Sequence, residues 1–330
     1  MLKPKVFITR NIPGSAIPLL KKQFQVKVYP KDQFIPRTEL IKGVNWCDAL
    51  LCLLTDKIDK EIIGANPRLK VISNYAVGYD NIDVAYATRK GIPVCNTPSQ
   101  QVVEAVAEHT FALMLAVTKR LHEDEEYVRE HFWKSWAPNL LLGMQILGKT
   151  LGIVGLGKIG SGVARRAACM GMKVIYSDVN RNLPFERQFK AKYRSLSQLL
   201  KTADVVTLHV PLLKSTYHLI SFKQLKMMKK TAYLINTSRG SVVNEQALTK
   251  ALKHHWIAGA GLDVYESEPD KNHPLHKLKN CILTPHTASA TVEAREQMGK
   301  DAAENIIAVL QGRKPKKVVN SEVLCCVIQA

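Results

Sequence analysis

The sequence predicts an α/β protein built from two doubly wound parallel-sheet domains. Three observations carry this. Short apolar, β-branched runs alternate with amphipathic segments almost from end to end. The alternation occurs in two arrays, one on each side of a long apolar helix. The chain of 330 residues is long enough for two domains of ordinary size.

In the first array, over residues 1–98, strands are predicted at 5–9, 26–29, 49–54, 70–74 and 92–95. Strands alternating with helices imply a parallel sheet covered on both faces. Helical periodicity fills gaps between them, for example over 16–24 and 37–42. The loop Asn74-Tyr75-Ala76-Val77-Gly78-Tyr79-Asp80-Asn81 leaves the fourth strand. Open α/β sheets bind ligands outside their strands' carboxyl ends, so this loop is a candidate site wall. A helix over about 101–120 follows, apolar nearly all round and therefore expected to be buried. Residues 121–148 carry Trp133, Trp136 and Leu140-Leu141-Leu142 without strand periodicity, a composition suited to an interface arm.

The second array opens with Leu151-Gly152-Ile153-Val154, a short strand, and runs directly into Gly155-Leu156-Gly157-Lys158-Ile159-Gly160. Small and apolar residues then recur at helical spacing, Lys173-Val174-Ile175-Tyr176 reads as a second strand, and Asp178 closes it. Each part fits a dinucleotide site. Gly155 permits the tight turn, Gly157 leaves room for a pyrophosphate, and Gly160 lets helix and strand pack closely. The helix N-terminus offers N–H groups to phosphate. Asp178 can accept hydrogen bonds from ribose hydroxyls. Further strands are predicted at 205–209, 232–236, 258–262 and 281–283, with helices near 196–201, 222–228, 245–252 and 292–310. The last helix is expected to return to the first domain, because the tail beyond it is too short to be one.

Composition narrows the class. Lysine and arginine total 47 against 28 acidic residues, a formal charge of +19. The basic residues are spread along the chain, so a solvated surface is favoured over a nucleic-acid footprint. Seven scattered cysteines without a CxxC pair point to reduced thiols in a cytoplasmic protein, with neither a disulfide framework nor a metal site. No apolar run reaches the ~18–20 residues that a bilayer span needs, and no signal segment is read at the N-terminus.

Three segments follow strands of the second array: Asn236-Thr237-Ser238-Arg239-Gly240, Asp263-Val264-Tyr265-Glu266-Ser267-Glu268-Pro269, and Thr284-Pro285-His286-Thr287. If that sheet is doubly wound, an arginine, a carboxylate and a histidine meet on the glycine-loop edge. Arginine can grip a carboxylate bidentately. Histidine titrates near neutrality and can supply the proton that balances a hydride. A nearby glutamate fixes the ring and favours its charged form. The set suits hydride transfer to a 2-oxo acid.

The motifs NYAVGYDNID, EAVAEHTFALMLA, GKTLGIVGLGKIG, LHVPL, LINTSRGSVVNE, GAGLDVYESEP and LTPHTAS resemble those of the D-isomer-specific 2-hydroxyacid dehydrogenases, most closely the glyoxylate/hydroxypyruvate reductase branch. The resemblance runs from about Lys5 to Val319. It implies two Rossmann-like domains, with the cofactor domain (99–286) inserted into a substrate domain made of 1–98 and 287–330. It implies Arg239 as the substrate-binding and catalytic arginine, Glu268 rather than Glu266 as the acid partner, and His286 as proton donor. Val77 and Gly78 would hold the substrate carboxylate through their amides, with Leu54 beside them. Cofactor contacts would come from Gly155, Leu156, Gly157, Lys158, Ile159, Gly160, Asp178, His209, Val210, Pro211, Thr237, Ser238, Arg239, Asp263 and His286. Many relatives carry threonine where this chain has Val103, which removes one hydrogen bond near the nicotinamide. The cofactor expected is NAD, with NADP also admitted because Arg181 follows Asp178. The partners expected are a small 2-oxo acid and a second copy of the chain, with no nucleic acid, membrane or metal. The alternatives are a dehydrogenase for another 2-oxo acid, of D-lactate or 2-ketogluconate type, and a dinucleotide-sensing corepressor of the C-terminal-binding-protein type.

Overall fold

A computed structural model describes residues 3–266 and 273–324. The chain divides into two units, one made of Met1–Val102 with Ala290–Ala330 and the other of Val103–Ser289. Glu268 and the Cys325-Cys326 pair lie outside the described residues.

The first unit alternates strand and helix: β1 (Lys5–Ile8), α1 (Ala16–Lys21), β2 (Gln25–Val28), α2 (Arg37–Trp46), β3 (Ala49–Leu53), α3 (Lys60–Gly64), β4 (Val71–Tyr75), α4 (Val84–Arg89) and β5 (Val94–Cys95). The strands form one parallel sheet in the order β2-β1-β3-β4-β5. Every residue of β4 is buried, Ser73 and Asn74 included. The division between the units falls within the first turns of α5 (Gln100–Thr118). That helix is buried along a face, with Gln101, Glu108 and Ala112 exposed, so it is not enclosed on all sides as its composition suggests.

The second unit continues with α6 (Leu121–Arg129), β6 (Thr150–Val154), α7 (Lys158–Cys169), β7 (Lys173–Ser177), α8 (Leu183–Phe189), β8 (Lys192–Tyr193), α9 (Leu196–Thr202), β9 (Val205–Leu208), α10 (Phe222–Met227), β10 (Tyr233–Asn236), α11 (Glu245–Lys253), β11 (Gly259–Leu262) and β12 (Cys281–Leu283). Its sheet has the order β12-β11-β10-β9-β6-β7-β8, and every pairing is parallel. The order reverses at β6, with β7 on one side and β9 on the other. This is the switch point where a doubly wound sheet opens a crevice. Two apolar clusters cover its faces, one containing Leu199, Leu234 and Leu248, the other Met114, Ile153 and Tyr176.

The final helix, α12 (Val292–Leu310), packs on β4 and α1 within the first unit. Ser73 donates to the Ala302 carbonyl at 3.1 Å and Tyr75 to the Arg295 carbonyl at 2.7 Å. The arm sequence gives one amphipathic helix, α6, and then exposed turns. Phe132, Trp133, Trp136 and Leu142 are 59%, 60%, 81% and 66% exposed. Among the described residues no helix is long and apolar enough to cross a membrane, and no group of three potential ligands is arranged to hold a metal.

Candidate active site

In the second unit the sequence-predicted residues share one edge of the sheet. Gly155 follows β6, Asp178 follows β7, His209 follows β9, Thr237-Ser238-Arg239 follows β10, Asp263 follows β11 and His286 lies just past β12. Because all these strands are parallel members of one sheet, all these residues stand at its carboxyl edge.

The glycine loop has the geometry its residues predict. Gly155 has φ +92, and a Cβ there would stand 2.7 Å from the His209 carbonyl oxygen. A Cβ on Gly160 would collide with the Gly155 carbonyl oxygen, so only glycine lets α7 approach β6 this closely. At Gly157, the N-cap of α7, nothing of the protein lies within 4 Å of a built Cβ. That open space over the first amides of a twelve-residue helix suits a pyrophosphate. Lys158 and Ile159 begin the helix, and Ser161 ties its hydroxyl to the Leu156 carbonyl at 3.2 Å. Asp178 is bound into the same loop, one carboxylate oxygen accepting from Leu156 N–H at 2.6 Å and the other from Val179 N–H at 2.6 Å. Nearby, His209 accepts or donates at Nε2 to the Thr207 hydroxyl at 2.9 Å, and burial pushes its pKa down to about 3, keeping the ring neutral. Pro211 accepts from the Thr216 hydroxyl at 2.6 Å, which shapes the turn after Val210.

The turn after β10 is organised by Asn236, a residue the sequence did not single out. Its carbonyl oxygen accepts from Ser238 N–H (3.0 Å) and the Ser238 hydroxyl (2.8 Å), while its amide donates to the Arg239 carbonyl (2.9 Å). The Arg239 guanidinium donates to the Ser238 carbonyl at 2.8 Å. Thr237 is buried against Thr110 of α5, with the two hydroxyl oxygens 2.9 Å apart. Thr110 donates to the Val106 carbonyl, so the proton between the two hydroxyls belongs to Thr237.

Asp263 is fully buried and works as an acceptor hub. Its carboxylate accepts from the Thr284 hydroxyl (2.6 Å), Thr287 N–H (2.8 Å) and Ala288 N–H (2.8 Å). His109 Nε2 lies 3.4 Å from the same carboxylate and 3.1 Å from the Thr284 oxygen. Since Thr284 spends its proton on Asp263, His109 must present Nε2–H to it. Burial pushes the Asp263 pKa up, but donation from His109, Thr284 and the two amides outweighs it, and the net shift is downward. The Asp263 carbonyl accepts from His286 N–H at 3.0 Å. His286 itself has φ +55, a left-handed backbone that the anchored 284–288 loop maintains. Below this loop, the Glu245 carboxylate binds Glu266 N–H (2.6 Å) and the His273 ring (2.6 Å), and so fixes the residues on both sides of 267–272.

In the first unit, Leu54 follows β3, and Val77 and Gly78 follow β4. Three carbonyls of the latter loop are captured: Ala76 by Thr97 N–H (2.9 Å), Val77 by the Asn96 amide (2.7 Å) and Gly78 by the Asn74 amide (2.8 Å). In a trans peptide the N–H opposes the C=O of the preceding residue. Capturing the Ala76 and Val77 carbonyls therefore turns the Val77 N–H away from Thr97 and the Gly78 N–H away from the Asn96 amide. Asn81 braces the loop by donating to the Leu53 and Asp56 carbonyls, each at 3.0 Å. These asparagines, like Asn236, His109 and Thr284, were not singled out from the sequence.

Residues 111–288 match the family model described as D-isomer specific 2-hydroxyacid dehydrogenase, NAD binding domain. The chain belongs to the D-isomer specific 2-hydroxyacid dehydrogenase family. It is 50% identical to a glyoxylate reductase of Thermococcus litoralis over 98% of either chain, and 50% identical to one from Thermofilum pendens over 98% of this chain and 96% of that one. Among solved structures, a protein from Thermus thermophilus superposes with a TM-score of 0.90 at 43% identity, covering 96% of this chain and 99% of that one. A glyoxylate reductase from Paecilomyes thermophila gives 0.87 at 31% identity, covering 98% and 100%. As a member of this family the chain is an NAD(P)-dependent oxidoreductase, and the open glycine cradle and the Asp178 carboxylate fit such a dinucleotide.

Proposed function

We propose that the protein reduces glyoxylate, hydroxypyruvate or a similarly small 2-oxo acid to the D-2-hydroxy acid, with NADH preferred over NADPH. The observation that carries the reading is the shared carboxyl edge, where the glycine loop, Asp178, Arg239 and His286 follow parallel strands of one sheet. The relatives named as glyoxylate reductases support the substrate class. When bound, the nicotinamide supplies the hydride. Arg239 binds the substrate carboxylate and polarises the carbonyl; Val77 and Gly78 hold the carboxylate through their amides. His286 delivers a proton to the carbonyl oxygen as it gains charge, with Glu268 as its acid partner. Asp178 accepts from the ribose hydroxyls and repels a 2′-phosphate. In this reading the 1–98 and 287–330 segments serve the substrate and 99–286 the dinucleotide. The arm around Trp133 and Trp136 joins two copies into a homodimer, as its exposed aromatic surface suits.

The test is a panel of kcat/KM values for glyoxylate, hydroxypyruvate, pyruvate and bulkier 2-oxo acids, each with NADH and NADPH. The expected result ranks glyoxylate and hydroxypyruvate with NADH first. Absence of turnover with every 2-oxo acid, despite dinucleotide binding, would favour the corepressor alternative.

A further inference from the structure

The ribose loop after β7 contains an arginine, Arg181, whose exposed guanidinium is already paired. Arg181 donates through Nε and Nη2 to the two carboxylate oxygens of Glu186, each at 2.8 Å, a bidentate fork. Glu186 is itself held from beneath: the hydroxyl of Tyr176, a fully buried side chain of β7, donates to the same carboxylate at 2.8 Å. That hydroxyl accepts in turn from Asn182 N–H at 2.7 Å, at the cap of α8. Tyr193 packs edge-on against Tyr176, with centroids 5.5 Å apart, and donates to the Asp178 carbonyl at 3.3 Å. Two tyrosines thus fix the 178–182 loop, and one of them anchors the acceptor that holds Arg181.

A guanidinium three residues past a ribose-binding carboxylate is well placed in sequence to meet a 2′-phosphate. Here the Nε and Nη2 donors of its fork are spent on Glu186, whose negative charge also offsets that of the guanidinium. We propose that Glu186 is a positioning residue for cofactor choice, which holds Arg181 in a fork so that the arginine does not serve a 2′-phosphate. The proposal rests on the Asp178 reading given above and adds a second, separable barrier to NADPH. Asp178 repels the phosphate, and Glu186 withholds the cation that would attract it. Donation from Arg181 and then Tyr176 pulls the Glu186 pKa down to about 2, so the acceptor stays charged at any working pH.

The test is a double-mutant cycle between Glu186→Gln and Arg181→Ala, run in an Asp178→Ser background, with kcat/KM measured for NADPH and NADH at saturating glyoxylate. Glutamine keeps the length and the Tyr176 contact but weakens the fork. Glu186→Gln is expected to raise the NADPH/NADH ratio by about fivefold, the scale of a surface ion pair. Adding Arg181→Ala should erase that gain. If Glu186→Gln leaves the ratio unmoved, or the gain survives without Arg181, the proposal is overturned. The Asp178 reading fails differently, through a wild type that prefers NADPH or an Asp178→Ser chain with an unchanged ratio. Should Glu186→Gln destabilise the chain, binding of NADP⁺ against NAD⁺ by the folded fraction, followed by fluorescence quenching, gives the same ratio. Thermal melts establish that fraction.

Discussion

Replacing Asp263 by asparagine removes one charge from the centre of the second unit without changing its shape. The wild-type carboxylate accepts from one hydroxyl and two backbone amides within 2.6–2.8 Å, and His109 Nε2 lies at 3.4 Å. Asparagine has one acceptor oxygen. Turned toward Thr284 and Thr287, it sets its own NH2 against the Ala288 N–H. Turned the other way, it opposes both Thr284 and Thr287. Each buried donor left without an acceptor costs ~1–3 kcal/mol, and the charge on the surviving bonds is also lost. The expected destabilisation is roughly 3 kcal/mol. For a unit of this size that is a fall in Tm of roughly 6–12 °C. The same substitution loosens the loop that holds His286, so kcat should fall by about tenfold to a hundredfold through misplacement alone. The sign of the pH dependence follows from the depressed Asp263 pKa. The stabilisation is fully present above the unfolded value near ~3.9 and is lost as pH falls through the lower folded value. Wild-type Tm should therefore fall more steeply below about pH 4 than that of Asp263→Asn. Differential scanning calorimetry with steady-state kinetics at pH 7 measures both effects. A variant within 2 °C of wild type, with unchanged kcat, would show that the carboxylate hub does not hold the loop.

Other outcomes are as specific. His286→Asn should lose about 10²–10⁴ in kcat while keeping its Tm, because asparagine accepts the left-handed backbone. His286→Ala should lose similar activity with a Tm near that of wild type, since histidine already bears the Cβ cost of φ +55. Wild-type NADH should be preferred by about tenfold to a hundredfold, ~1.4–2.8 kcal/mol, and Asp178→Ser should narrow that gap in dinucleotide titrations. Among the proposed substrate-binding positions Leu54, Val77 and Gly78, none has a basic side chain, so phosphorylated hydroxy acids should give lower kcat/KM than glycerate in the oxidative direction. Light scattering at micromolar concentration should report a dimer, and Trp133→Ser with Trp136→Ser should yield monomer.

The fold was most legible where its strands are buried on both faces. Leu151-Gly152-Ile153-Val154 and all of β9 are enclosed, and such strands must read as unbroken apolar runs. Ends were less legible: the fourth strand begins at Val71 and ends at Tyr75, one position later than its apolar run suggests. Short helices such as α4 and α8 have too few turns to establish a period, although Asp83 and Asn182 cap them. At the site, the glycine loop and Asp178 were readable because their spacing is local. The groups that hold the site residues were not. His109 meets Thr284 across 175 positions, and a helical histidine on a mostly apolar stretch carries no local mark of that contact. Arg181 was read as available to a phosphate, whereas its pairing depends on a glutamate one helical turn into α8 and a tyrosine in the strand before it.

The carbonyl captures in the 76–78 loop separate two properties that usually change together. The direction of the Val77 and Gly78 amides is imposed from behind by Thr97 and Asn96, through main-chain oxygen atoms only. The Val77 side chain takes no part in that bracing. Position 77 is thus a variable slot on a constant frame: lysine, threonine or phenylalanine there alters what the loop displays while the amide pair keeps its aim. If the amide pair holds the substrate carboxylate as proposed, selectivity can drift by single substitutions at this slot without first dismantling that hold, and a saturation library at codon 77 would explore new substrates from an intact scaffold.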